Sequence, residues 1–209
     1  MEKQLIEVFK RMKNDQLIDK HVFERIKSTA SIIPRLYGMP KIHKTGLPLR
    51  RILDMSGSPY HCIAKWLASL LEPVGKHICK HSVRDTFEFI EHIKVNVSDK
   101  IMLPLDVESL FINVPLTETI SLICKYINNN EISIGIPDVY LKELLLRCTC
   151  NVQFTFNDVI YRQKDAVAMG SPLGPLLALD LIPGLIIFAY CCKVQKYNQK
   201  AIDGPLIHV

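Results

Sequence analysis

The sequence predicts an α+β chain, and two periods plus one ordering carry that reading. Apolar residues recur at helical spacing, beginning with Leu5, Val8, Phe9 and Met12 on one stripe. "VQFTF" (152–156) instead alternates with the period of a strand, and Asn157-Asp158 behind it reads as a hairpin turn into "VIYRQ". From Ile101 onward the order is strand, helix, helix, hairpin, loop, helix. That order points to α+β rather than a regular βαβ array.

The elements follow along the chain. Residues 2–27 read as helical and also fit an ordinary solvated basic surface. "STASIIPRLYGMPKIHKTGLPLRR" then brings three prolines and two glycines, which break helices and favour extended segments and turns. A helix is expected from about Pro59, with Ile63, Trp66, Leu67 and Leu70 on one face. "IMLPLDV" reads as a buried strand. "PLTETISLICKYINNN" reads as a helix with Thr117 as N-cap and Ile120, Ile123 and Ile127 as its apolar stripe. Asp138 is the expected cap of the next helix, "VYLKELLLRCTC", and "AVAMGSPLGPLLALDLI" is a glycine- and proline-punctuated loop running into an apolar helix.

Length and composition set limits. The 209 residues suit one domain or slightly more, and 48% hydrophobic content suffices for a sizeable core. The net charge of +5 is uneven: residues 1–100 balance at +7 and residues 101–209 at −2. A basic front half fits a polyanionic partner. Seven cysteines, an odd number without a CxxC pair, and no opening signal peptide lead to the expectation of a reduced intracellular setting, nuclear or cytoplasmic. Leu173–Cys192 is long enough to suggest a membrane anchor, but Asp180, Pro175 and Pro183 make that costly. The stretch Leu181–Cys192 is too short to span a bilayer, so a buried helix or strand is favoured.

Three stretches carry candidate chemistry. From Arg35 to Arg51 there are five Lys/Arg, one His and no acid. Lys41, Lys44, Arg50 and Arg51 on this stiffened segment suit a triphosphate or a nucleic-acid backbone, and equally an ordinary basic loop. Asp106 ends a hydrophobic strand, where a carboxylate is expensive unless paired or bound to a metal. Glu108 would project from the same face, so the two could hold a divalent cation; the alternative is a helix cap or a solvent-facing strand end. In "AMGSPLGP", Gly170 permits close backbone approach and Ser171 can donate a hydrogen bond or cap the next helix, or the stretch is a plain turn before a core helix. His77 and His81 bracket Cys79 at helical spacing, which fits zinc or simply surface histidines.

Together these stretches resemble a reverse transcriptase, specifically those of Penelope-like retroelements. "RLYGMPKIHKTGLPLRRIL" is similar to that family's opening motif. "LDVESLFINVPLTETI" is similar to its first palm motif, and "YRQKDAVAMGSPLGPLLA" to the motif lining its nucleotide and template pocket. All three stand in the family's order, over roughly Ile33 to Ala178. The resemblance implies the fingers and partial palm of a right-hand polymerase. Residues 1–32 would be an N-terminal helical region, 33–100 a fingers-like basic region, 101–180 a partial palm, and 181–209 a divergent apolar tail.

It also implies roles. Asp106 would be the metal-binding catalytic aspartate, and Val107 would offer its carbonyl to a second metal. Phe111 would be the steric gate against a ribose 2′-hydroxyl, and Lys41 and Arg50 the cations on the incoming triphosphate. Gly170, Ser171 and Pro172 would form the core of the pocket loop. Glu108 has no role in that pattern. The implied cofactor is Mg²⁺ and the implied partners are an RNA template, a DNA primer and a deoxynucleoside triphosphate.

The chain also departs from the family. The expected aromatic-x-Asp-Asp hairpin is absent, and no Asp-Asp dipeptide occurs in the 209 residues. Arg51 stands where the family carries proline, and Ala166 where it carries glycine. The resemblance stops near Ala178, ahead of the Asp-Asp hairpin and thumb, as a frameshift, a misplaced exon boundary or a decayed element copy would each produce. The expectation is a polymerase by descent that is inactive as written. The alternatives are a non-catalytic remnant that binds RNA or a primer–template, and, ranked last, a membrane-associated protein anchored by residues 173–192.

Overall fold

The computed structural model describes residues 2–27, 31–79, 82–83, 85–92, 110–112, 114–150, 152–163 and 166–181. The predicted strand over 101–107 lies outside them, as does the tail beyond residue 181.

Two helices open the chain, α1 (Glu2–Asn14) and α2 (Lys20–Ile26). The continuous helical reading of residues 2–27 is therefore corrected. Gln16 sits at φ 58, a conformation that no helix accommodates. Asp19 then restarts the helix, its carboxylate accepting the Val22 N–H at 2.6 Å. The tertiary contact that anchors the break is the Tyr140 hydroxyl donating to the Asp15 carboxylate.

Helix α3 (His61–Ile78) is central, burying Ile63, Leu67, Leu71 and Val74. It packs against α2, against α6 (Asp138–Thr149), and against the chain from Leu173 to Leu181. A short helix, α4 (Thr86–His92), follows α3 and buries none of its side chains. Helix α5 (Leu116–Asn129) lies on α6, and the Ile120, Ile123 and Ile127 stripe is buried as its spacing predicts. Each such side chain removed from water contributes about 1.5–3 kcal/mol.

Both predicted caps are corrected. Helix α5 starts at Leu116 with Pro115 as its N-cap, so Thr117 lies inside the first turn, where its carbonyl accepts the Ser121 hydroxyl at 2.8 Å. Leu116 is fully buried, and its seat in the core sets the start of the helix ahead of the threonine. Asp138 is the first helical residue of α6, behind Pro137, and its carboxylate accepts from the Asn128 amide at 3.1 Å. A negative charge in that first turn still complements the helix dipole.

The sheet has the order β2-β1-β3-β4. Strands β1 (Arg35–Pro40) and β2 (Leu49–Asp54) are antiparallel, as are β3 (Gln153–Phe156) and β4 (Val159–Arg162). The two hairpins meet in parallel at Arg35 and Thr155. Asn157 and Asp158 have φ of 48° and 60°, the paired left-handed geometry of a two-residue hairpin turn. On β2 only Leu53 is buried, so the distal half of the β1–β2 hairpin projects from the core as a two-stranded ribbon. The loop after β4 leads into a single helical turn, α7 (Leu173–Pro175), and a π-type turn over Leu176–Leu181. Pro175 has no N–H to continue an α-helical ladder.

Candidate nucleic-acid interface

The ribbon presents its cations in a fixed register. Arg50 pairs with Met39, and the Lys41 N–H extends the ladder by donating to the Pro48 carbonyl at 2.9 Å. Alternation therefore places Lys41 and Arg50 on the same face as diagonal neighbours, beside Tyr37 and Met39. Arg51 lies on the opposite face with Gly38 and Leu49. Gly46 and Leu47, at φ 78° and 47°, close the ribbon. Arg50 and Arg51 are exposed and Lys41 is half-buried. Among the described residues none of the three forms an ion pair with a carboxylate. The ribbon's own acid, Asp54, stands at its base. The Ser56 backbone N–H, and then its hydroxyl, hold that carboxyl below its ordinary value.

The loop bearing Gly170, Ser171 and Pro172 is seated directly on this ribbon. The Leu53 N–H donates to the Met169 carbonyl at 2.7 Å. Gly170 follows at φ +114, and a β-carbon there would lie 2.2 Å from the Leu53 carbonyl oxygen. Only glycine fits, both for its backbone conformation and for the space. Ser171 is buried. Its N–H donates to the Ala168 carbonyl at 3.0 Å, its carbonyl accepts from Gly174 at 2.8 Å, and its hydroxyl accepts the Leu173 N–H at 3.3 Å. Pro172 is the N-cap of α7, so the expected cap at Ser171 is corrected: its hydroxyl instead closes a local turn just ahead of the helix. Pro172 is half-buried at φ −58.

Phe111 joins the same neighbourhood from a third part of the chain. It sits in a short 3₁₀ turn, Leu110–Ile112, and its carbonyl accepts the Val167 N–H at 2.8 Å. Its ring edge lies 3.4 Å from where a Gly174 β-carbon would be, so the ring packs against the start of α7. The ring is half-buried, with one part in the core and another open to solvent. The loop from Val167 to Gly174 therefore touches both Leu53 on β2 and Phe111, although the three are far apart in sequence.

The structure does not describe every candidate. Asp106, Val107 and Glu108 lie outside the described residues. Among the described residues no group of three His, Cys, Asp or Glu could hold a metal ion. His77 packs edge-on against Tyr126, with ring centroids 5.8 Å apart, and His81 is outside the described residues. Among the described residues no helix is long and apolar enough to cross a membrane.

One participant escaped the sequence reading, and a second was noted only as a departure from the resembled family. Leu53 seats the loop over Met169–Pro172 through its backbone, and nothing in a leucine's identity signals that. Ala166 holds φ +82, in the left-handed region. The signal for it was present, because the resembled family carries glycine at this position. No family model, curated protein or solved structure matches the chain.

Proposed function

We propose that this chain carries the fingers and the first part of the palm of a reverse transcriptase of the Penelope-like kind, and that it holds RNA or a primer–template through the basic ribbon. The observation that carries the reading is the seating of Gly170 on Leu53 in a loop that also touches Phe111 through Val167 and Gly174. It joins the ribbon bearing Lys41 and Arg50 to the loop that the resemblance assigns to the nucleotide pocket. The left-handed Ala166 adds independent support, since the backbone there has the conformation that the family's glycine supplies.

The described residues contribute binding. Lys41 and Arg50 offer two cations on one face for a phosphate backbone or a triphosphate. Tyr37, on the same face and 46% exposed, offers a ring on which a base can stack. Phe111 offers a partly open ring at the border of the pocket loop, where a sugar gate would stand. In such polymerases Mg²⁺ supplies charge neutralisation for phosphoryl transfer. The ligands assigned to it, Asp106 and Val107, are not among the described residues. A non-catalytic binding role is the second reading, favoured by the absence of any Asp-Asp dipeptide.

Fluorescence anisotropy with single-stranded RNA and with an RNA–DNA primer–template tests the proposal. Binding should weaken as salt rises. Lys41→Ala and Arg50→Ala should each reduce the slope of log K against log salt by about one. Affinity that ignores ionic strength, or that survives both substitutions unchanged, refutes it.

A further inference from the structure

Among the described residues the outer edge of β4 is an open pairing site. The Gln163 N–H donates to the Val152 carbonyl at 2.9 Å, which makes that opposed pair hydrogen-bonded. Alternation along the antiparallel ladder then leaves Ile160 and Arg162 with backbone groups that point away from β3. Thr155, opposite Ile160, confirms the alternation, because its N–H points the other way, to the Pro34 carbonyl at 2.8 Å. Among the described residues no strand continues the sheet beyond β4. The strand is apolar and open on both faces, with Val159 52%, Ile160 58% and Tyr161 46% exposed. It has no proline, and its charges stand only near its ends, at Asp158 and Arg162. Such an edge is a template for another strand.

We infer that the occupant is a second copy of the same strand, paired antiparallel about a two-fold axis through Ile160. This register lets Ile160 of each copy exchange both backbone hydrogen bonds with Ile160 of the other. It sets Val159 across from Tyr161 and brings the Asp158 end of each strand to the Arg162 end of its mate. Opposite charges meet at both ends while apolar residues meet between them. The two four-stranded sheets become one sheet of eight strands. A partner strand carrying one sign of charge would satisfy only one end, whereas an antiparallel copy of this strand satisfies both. The contact is short, and the association is accordingly concentration-dependent.

Sedimentation equilibrium of the full chain across a concentration series is the first test, with the mass expected to rise toward twice the monomer value. Ile160→Lys places two ammonium groups together on the axis and should hold the chain monomeric with an unchanged circular dichroism spectrum. The register has its own test under mild thiol oxidation, with linked peptides identified by mass spectrometry. Ile160→Cys should link to itself, Val159→Cys alone should not, and a mixture of Val159→Cys with Tyr161→Cys should link one variant to the other. A parent chain monomeric at every concentration overturns the inference. So does an Ile160→Lys variant that associates like the parent, or a cross-link pattern of another register. Slow amide exchange at Ile160 and Arg162 in the dilute monomer would assign the edge to another segment of the same chain and equally overturn it.

Discussion

Gly170 lies so close to Leu53 that no side chain could stand between them: a β-carbon on Gly170 would sit 2.2 Å from the Leu53 carbonyl oxygen. This contact and the Leu53–Met169 hydrogen bond at 2.7 Å tie the loop over Met169–Pro172 to the ribbon. Gly170→Ala must move the loop off the strand, and any conformation near φ +114 strains the alanine as well. Losing the hydrogen bond and straining the backbone together cost about 2–4 kcal/mol. Urea unfolding should show that loss, and RNA affinity should fall as the ribbon and loop separate. A variant as stable as the parent would disprove the seating.

Ala166 predicts the opposite sign. Its φ of 82° is strained for any residue with a β-carbon. The bond from the Gln163 side-chain amide to the Ala166 carbonyl is a backbone contact that glycine preserves. Ala166→Gly relieves the strain but adds unfolded-state entropy, for a net gain of about 0.5–1 kcal/mol. The midpoint of the same urea transition checks it, and a lower midpoint contradicts the assignment.

These two residues also mark how far the sequence could be read. The turn at Asn157 and Asp158 was legible because its chemistry is local: two residues that tolerate positive φ stand between alternating strands. The buried stripe of α5 was legible because period alone defines it. The break at Gln16 was not, since it is held in part by Tyr140, far along the chain. The cap positions slipped because burial of Leu116 decided where α5 begins. The candidate residues on the ribbon and loop were legible as short stretches resembling family motifs, but the seating of Met169 and Gly170 on Leu53 is a long-range backbone contact that no local pattern encodes.

Helix α1 is fastened to α6 by Glu143, whose carboxylate accepts from Arg11 at 2.9 Å and from Arg147 at 2.8 Å. Burial pushes the Glu143 carboxyl up, but hydrogen bonds from Arg147 and Arg11 outweigh it and hold the carboxyl below its ordinary value. A carboxylate lowered by folding stabilises the fold above its unfolded pKa and loses that contribution as pH falls through the folded one. Glu143→Gln should therefore cost on the order of 1 kcal/mol at neutral pH, and the difference from the parent should shrink below about pH 4.5. Thermal unfolding at a series of pH values measures it, and a pH-independent difference excludes the ionic role.

The cysteines should separate by burial. Desolvation pushes the Cys148 thiol up to about 12, while Cys62 on α3 is exposed. The thiolate is the reactive form, so at pH 8 iodoacetamide should alkylate Cys62 readily and leave Cys148 untouched until the chain is unfolded. Mass mapping of the labelled peptides reads this directly. Comparable labelling of both in the folded chain would mean that Cys148 is not in the core.

Binding and chemistry should come apart at Asp106. The ribbon's cations stand on a different part of the chain, so Asp106→Ala should leave RNA affinity within about twofold of the parent and preserve its salt dependence. Two-metal phosphoryl transfer needs more carboxylates than Asp106, and the 209 residues contain no Asp-Asp dipeptide. Primer extension by this chain with Mg²⁺, an annealed RNA template and all four deoxynucleotides should therefore yield no product, even where anisotropy shows the primer–template bound. A template-directed product that disappears in Asp106→Ala would show that the missing carboxylates are supplied from elsewhere in the chain, and Glu108 would be the first residue to substitute next.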